Sequence, residues 1–268
     1  MLIEISTWIG LIMGGLILSW GVWQTGAWKF FVNWHGILLV LGGTLCAAMI
    51  NSPLRMLWRA FRTFLSLFFA HNIPPMEDVI GEIARLAERA RAEGGLLNLQ
   101  GEGENVMEGF LSRCLHIALT TGEANETRKI ISEEIRQRRI RRQEDANLFR
   151  TMGVLAPMFG LMGTLLGIVQ VLRTITDPNR VGMAMALAIT TAFYGITLAN
   201  LLFVPAAGKV RIRAIQESLV MEVIMEGVLD ILESKPPYLI GLHLNSYTAK
   251  KRETSAAPPA QIMEQNQP

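Results

Sequence analysis

Two charge-free stretches of the sequence place threonines among glycines and alanines at the spacing of a helix. Residues three and four positions apart lie on the same helical face. The two sets are Gly160, Thr164 and Gly167, and then Ala184, Ala188, Thr191 and Gly195. Small residues on one face let another helix backbone approach closely in lipid, where no hydrophobic effect holds helices together. The alternative explanation is close packing within the chain, with each threonine donating to its own preceding carbonyl.

A proline interrupts each of these stretches, at Pro157 and at Pro205. Proline removes a backbone hydrogen bond and bends the helix that contains it. Such a bend is either a hinge or a shape requirement for packing, and sequence position alone does not choose between them.

Other chemistries have no pattern to support them in this sequence. There is no Walker motif, no His/Cys cluster with metal-ligand spacing and no Ser/His/Asp arrangement in a soluble domain. We therefore expect no enzyme activity, no bound metal and no cofactor. The arginines at residues 136–142 lie between Glu133 and Glu134 on one side and Glu144 and Asp145 on the other, which favours a solvated helix over a nucleic-acid site.

Four windows without Asp, Glu, Lys or Arg define the elements that hold these residues. The windows are residues 5–28, 30–54, 151–172 and 181–208. Each can cross a bilayer, since a transmembrane helix needs roughly 20 mostly apolar residues. Only 18% of the chain is charged, against about 25% in a typical soluble domain. The prediction is an all-α membrane protein with four transmembrane helices and a helical cytoplasmic insert between helices 2 and 3.

The positive charges predict the orientation of the chain. Of the 25 Lys and Arg residues, 22 lie in residues 55–150 or after residue 208. The positive-inside rule makes these segments cytoplasmic, with both termini inside. Within the insert, residues 55–69 combine arginines with aromatic side chains, a composition typical of a helix lying along the inner membrane interface.

Five segments follow from these observations. They are a transmembrane hairpin (1–54), a cytoplasmic helical domain (55–150), a second transmembrane hairpin (151–208), a cytoplasmic helix (209–247) and a disordered tail (248–268). The tail is predicted from its polar, proline-containing composition.

One absence from the four windows bears directly on function. None of them contains Asp or Glu. A chain that conducts ions alone would usually place a carboxylate within the membrane. If this protein conducts ions, the titrating group must come from another chain, and the small-residue faces are where that chain's helix would fit.

The residues at 156–167 and 190–195, together with Pro205, resemble the MotA/PomA flagellar stator family of the MotA/TolQ/ExbB superfamily. The order of spans and insert is similar too, so the resemblance covers most of residues 1–245. It implies a homopentamer in the bacterial inner membrane around a dimer of a MotB/PomB-type subunit. That single-span subunit would supply the membrane aspartate and anchor to peptidoglycan. Ion flow would then turn the flagellar rotor through its FliG component.

The resemblance also assigns roles to individual residues. Pro157 and Pro205 match hinge or coupling positions, and Thr164 and Thr191 match polar positions along the ion path, with Thr190 beside them. Thr164 stands where proton-type MotA commonly has Ala, which favours sodium. Proton-driven ExbB and TolQ also have Thr at both positions, so Na+ and H+ both stay open. The residues expected to pack on the partner's helix are Gly160, Gly163, Gly167, Ala188, Tyr194 and Gly195.

Residues 94–99 resemble the loop at which the family presents an Arg and a Glu to the rotor. The expected rotor contacts are Arg89, Arg91, Gln100, Glu102 and Glu104. Gln100 stands where the family has Glu, which leaves Glu102 or Glu104 for that role. Val154 is another departure, since many stators carry Asp there.

The function classes that stay open are a flagellar stator, a related five-to-two motor for another load, and a plain membrane scaffold. The second class includes ExbB/TolQ-type energy transducers and surface-motility motors. Two spans precede the insert here, whereas ExbB and TolQ have one, so the layout favours the stator.

Overall fold

The computed structural model describes residues 5–24, 26, 28–31, 33–69, 73–92, 95–99 and 101–256, with the side chains of residues 29, 30, 96 and 248–256 left out. These residues are almost entirely helical, which confirms the predicted fold class. The α-helices are α1 (Ile5–Gln24), α2 (Trp34–Ile37), α3 (Gly43–Asn51), α4 (Leu54–Ser66), α5 (Met76–Ala92), α6 (Phe110–Thr121), α7 (Ala124–Arg173), α8 (Pro178–Leu198), α9 (Val204–Leu232) and α10 (Pro237–Ala256).

Within the described residues, four helical segments are long and apolar enough to cross a membrane, as predicted. The first is α1, and the second is Trp34–Asn51, in which a π-helical turn at Leu38–Gly42 joins α2 to α3. The third lies within α7. The fourth begins in α8 and continues through a second π-helical turn, Ala199–Phe203, into α9.

Local sequence explains where these spans begin and end. Asn33 caps α2, because its Oδ1 accepts the backbone N–H groups of His35 and Gly36. Asp177 caps α8 in the same way, and Pro178 takes the first helical position, where its missing N–H costs nothing. Ser52 is extended, so the chain turns out of the second span before α4 begins.

The chain forms two compact units, and the first comprises Met1–His71 and Ile140–Ala214. It contains α1 to α4, the second part of α7, all of α8 and the start of α9. Its core includes Ala48, Ala60, Phe149, Ala156 and Phe203, which are all buried. The guanidinium of Arg213 donates to the carbonyls at the end of α4 and just beyond it, Ser66, Leu67 and Phe69. It thus satisfies acceptors that a helix end leaves open.

The second unit comprises Asn72–Arg139 and Ile215–Pro268. Helices α5, α6 and α10 pack there with the first part of α7 and the second part of α9. Val79, Ile83, Leu86 and Ala90 recur at helical spacing in the sequence, and all four are buried on one face of α5. The helical spacing of these apolar residues therefore marks the core face of α5.

These boundaries differ from the predicted segments. Residues 55–69 and 140–150 belong with the membrane helices, because α4 packs on the part of α7 that leads into the third span. The predicted helix at 209–247 is two helices, since consecutive prolines at Pro236 and Pro237 remove backbone donors. The predicted tail starts inside α10, which extends to Ala256, and residues 257–268 lie outside the described residues.

Candidate functional site

Thr191 lies at the centre of the contact between the third and fourth spans. Its side chain is fully buried, and its hydroxyl donates to the carbonyls of Leu187 and Ala188, at 3.0 and 2.9 Å. A Cβ placed on Gly163 would lie 2.5 Å from the Thr191 Oγ1. One placed on Gly36, in the second span, would lie 3.1 Å from the Thr191 Cγ2. Glycine on two neighbouring helices therefore makes room for this threonine.

Main-chain atoms of the third and fourth spans also approach each other closely. A Cβ on Gly195 would lie 2.6 Å from the carbonyl oxygen of Ala156 and 3.1 Å from the Gly160 Cα. A Cβ on Gly167 would lie 2.5 Å from the Ala188 Cβ. Such distances leave no space for any side chain larger than hydrogen at these glycines.

The small residues of the third and fourth spans pack against each other. Gly160, Gly163, Gly167, Ala188 and Gly195 pack within the chain, which is the alternative that their spacing had left open. Their faces are filled by the chain's own spans. The expected packing of these residues on a partner's helix stays a prediction.

Tyr194, also expected to pack on the partner's helix, forms hydrogen bonds within the chain. Its hydroxyl accepts the backbone N–H of Asn33 at 3.1 Å and donates to the backbone carbonyl of Phe31. A Cβ on Gly36 would lie 3.2 Å from the tyrosine ring, so the ring packs closely on the start of the second span. Tyr194 thus ties the fourth span to the connection between the first two spans.

The three predicted ion-path threonines differ in exposure. Thr190 and Thr191 are buried, whereas Thr164 is half-buried. The Thr164 hydroxyl donates to the Leu161 carbonyl at 2.6 Å, and Thr190 donates to the Ala186 carbonyl at 2.9 Å. A hydroxyl that gives its proton to its own helix keeps its oxygen lone pairs as acceptors. Of the three, Thr164 is the one that is not buried, and the place of all three along an ion path stays a prediction.

The two predicted hinge prolines lie in different surroundings. Pro157 lies inside α7, where its Cα is 3.1 Å from the Cβ position of Gly195. One residue, Val204, separates Pro205 from the π-helical turn of the fourth span, as expected where a proline breaks the hydrogen-bond ladder. Pro205 lines a cavity of about 360 Å³ together with Thr7, Gly10 and Leu201. Their role as hinges stays a prediction.

A buried carboxylate near the third span was not identified from the sequence. Asp145 is 1% exposed, and its two oxygens accept from the Arg59 Nε at 2.8 Å and the Thr63 hydroxyl at 3.0 Å. Arg59 also pairs with Glu144 at 2.7 Å. Burial lowers the pKa of Arg59, but its bonds to the two carboxylates outweigh burial and raise that pKa overall. Asp145 precedes Phe149 and Met152 at helical spacing, a signal that could have placed it on the buried face.

Two of the predicted rotor-contact residues, Arg89 and Glu102, form an ion pair with each other. The Arg89 Nη1 lies 2.5 Å from the Glu102 Oε1, and Arg85 lies 3.3 Å from the other oxygen of that carboxylate. Arg91 is exposed on the wall of a cleft of about 390 Å³ that Lys235 also lines. Glu104 is exposed, and Gln100 lies outside the described residues. Arg85 and Lys235 are therefore charged neighbours that the motif alone did not identify.

Comparison with known proteins gives consistent matches. A family model described as the MotA/TolQ/ExbB proton channel family matches residues 102–223. The chain is 31% identical over 244 residues to chemotaxis protein PomA of Vibrio alginolyticus, covering 91% of this chain and 95% of that protein. It is 30% identical over 242 residues to motility protein A of Borreliella burgdorferi, covering 90% and 92%. Its fold is similar to that of the flagellar MotAB stator complex from Bacillus subtilis, with 31% identity, a TM-score of 0.82 and coverage of 93% and 98%.

The four apolar spans and these matches define a multi-pass protein of the bacterial inner membrane, from a class of stators and ion channels rather than of enzymes. The chain belongs to the MotA/PomA flagellar stator family, within the MotA/TolQ/ExbB proton channel family.

Proposed function

We propose that this chain is the flagellar stator subunit that conducts cations together with a MotB/PomB-type partner and converts the flow into torque on FliG. The observation that carries the proposal is the absence of Asp and Glu from all four membrane windows of a chain in this family. A proton or sodium site within the membrane needs a carboxylate. The similar structure from Bacillus subtilis is a MotAB complex, so a MotB-type subunit is the proposed source of that group.

The proposed assembly is a homopentamer around two copies of this partner, with both termini of the chain in the cytoplasm. The Thr164 oxygen would coordinate the passing cation, and Thr190 and Thr191 would support the helix packing beside it. Pro205, next to the π-helical turn, would be the point at which the fourth span bends during the cycle. The transported cation is Na+ or H+.

A motility assay in a cell without its own stator tests the proposal. The chain is produced with and without a single-span partner that has a membrane aspartate and a peptidoglycan-binding domain. We expect swimming only with the partner, and a speed that follows external sodium at constant proton motive force if the ion is Na+. Insensitivity to sodium would identify a proton motor. Failure to swim in every condition, with both proteins present in the membrane, would reject the flagellar role.

Replacing Thr164 with alanine tests the ion path. Loss of one coordinating oxygen should lower torque roughly tenfold, since such a contact contributes about 1–2 kcal/mol. Assembly with the partner should persist, and Thr164→Ser should restore most of the torque. Torque is measured from the rotation of beads attached to single flagella.

Thr174→Ala is the matched control, because that hydroxyl also donates to a preceding carbonyl, that of Gln170 at 2.9 Å, but lies just beyond the end of α7. Thr191→Ala should also impair rotation, through lost packing against Gly163. Normal torque in both Thr164→Ala and Thr191→Ala would reject the proposed path.

Reversing charges at the Arg89–Glu102 pair tests the rotor contact. We expect Arg89→Glu and Glu102→Arg each to reduce swimming severely, since like charges would then face each other and the rotor. The double variant Arg89→Glu/Glu102→Arg restores the ion pair within the chain, but the charge that each position presents to the rotor stays reversed. It should therefore still swim poorly in soft agar.

Arg113→Glu provides a control, since Arg113 pairs with Glu134 in the same unit. Full recovery of swimming in the double variant would show that the pair only stabilises the chain.

A further inference from the structure

Helix α4 presents an exposed face that is both aromatic and basic. Leu54, Trp58 and Phe61 are 67%, 60% and 52% exposed, and Arg55 and Arg62 lie exposed beside them. The 13 residues of α4 include three arginines and no acidic residue. Such a face is unusual for a helix in water, because it exposes large apolar side chains next to uncompensated positive charge.

The opposite face of α4 is held firmly by the first unit. Ala60 and Thr63 are buried, and Arg59 and Thr63 both bond to Asp145 of α7. Arg213 of α9 binds the carbonyls where α4 ends. These contacts fix the orientation of α4 about its axis. The aromatic and basic face is therefore held on the side opposite to them.

The arginines on this face differ from several arginines of the second unit. In the second unit, Arg85, Arg89 and Arg113 each pair with a glutamate at 3.3 Å or less. Among the described residues, Arg55 and Arg62 form no ion pair within 4.0 Å. The Arg62 guanidinium instead lies 5.5 Å from the centre of the Trp58 ring, a cation–π contact. Trp58 in turn stacks on Phe61, with ring centres 6.0 Å apart.

The position of α4 in the chain indicates what could neutralise these charges. Only Ser52 and Pro53 separate α4 from the second transmembrane span, so the helix begins where that span leaves the bilayer. The predicted orientation makes this the cytoplasmic surface, where the anionic lipids of a bacterial inner membrane lie. Arginine binds phosphate through paired N–H groups, and tryptophan prefers the headgroup region.

We propose that α4 binds anionic phospholipid, with Arg55 and Arg62 on the headgroup phosphates and Trp58 and Phe61 at the acyl boundary. This site would anchor the first unit to the inner leaflet by a contact that zwitterionic lipid cannot match. Lipid binding at α4 requires only the membrane spans and this helix, so it is independent of torque generation.

Lipid retention by the full-length protein tests this site. Native mass spectrometry would count the phosphatidylglycerol and phosphatidylcholine molecules that stay bound when micelles contain both lipids. The wild-type chain should prefer phosphatidylglycerol by about 30-fold, because each arginine near an anionic surface contributes roughly fivefold in binding. Arg55→Gln/Arg62→Gln should abolish the preference, and Arg55→Lys/Arg62→Lys should keep most of it.

Arg113→Gln/Arg136→Gln removes the same charge from the second unit and should retain the wild-type preference. Equal retention of the two lipids by the wild-type chain would overturn the proposal. So would an unchanged preference in Arg55→Gln/Arg62→Gln. A change in oligomeric mass without a change in lipid preference would assign the face to a second copy of the chain instead, and would also reject the lipid site.

Discussion

Gly195→Ala is expected to destabilise the folded chain by about 3 kcal/mol and to abolish swimming. The added Cβ would lie 2.6 Å from the Ala156 carbonyl oxygen and 3.1 Å from the Gly160 Cα. Both are backbone atoms of α7, so relief requires the two spans to move apart, and overpacking typically costs 1–3 kcal/mol even where side chains can adjust. Thermal unfolding of the detergent-solubilised protein measures the loss of stability.

Gly182→Ala on the same helix is the control with the opposite expected sign. A Cβ at Gly182 meets nothing within 4 Å, and alanine favours an exposed helix by about 0.5–1 kcal/mol. Gly182→Ala should therefore unfold at the same temperature as the parent protein or slightly above it. If Gly195→Ala were as stable as Gly182→Ala, the close contact between the third and fourth spans would be wrong.

Removing the buried carboxylate with Asp145→Ala should have the second largest effect, a loss of about 2–4 kcal/mol. Breaking a buried ion pair leaves its partners uncompensated, here the Arg59 guanidinium and the Thr63 hydroxyl. The lower end of this range is expected, because Arg59 is partly exposed and keeps Glu144. Hydrogen exchange should become faster along α4, and the unfolding temperature should fall.

Glu144→Ala is the matched control, one residue earlier in the same helix. The Glu144 side chain is 48% exposed, and an exposed ion pair contributes about 0–1 kcal/mol. Similar losses from the two variants would mean that burial of Asp145 does not determine the strength of this contact.

The membrane spans could be predicted because the bilayer core acts on every residue within them. A bilayer core penalises each charge, so absence of charge over some 20 residues is a local and strong signal. The core face of α5 was predictable for a similar reason, since its repeat of apolar residues has the period of a helix. The break after α9 was missed, although the paired prolines at Pro236 and Pro237 were a signal for it.

The partners of the small residues could not be predicted in this way. Gly163 and Gly195 have the spacing that suits a neighbouring helix, and spacing does not tell whose helix it is. Only the folded chain shows that its own fourth and third spans fill these faces. The burial of Asp145 was hidden similarly, because a carboxylate in a densely charged run looks solvated until Arg59 and Thr63, more than 80 residues away in sequence, are placed beside it.

The backbone contact at Gly160 and Gly195 also has a mechanical consequence. Helices separated by long side chains can slide, because rotamers absorb small displacements. Here the two main chains touch directly, so a shift of one span along its axis would drive carbonyls into Cα atoms. The third and fourth spans should therefore move together as one rigid body. Bending should be confined to the π-helical turn before Pro205 and to the ends of the two spans.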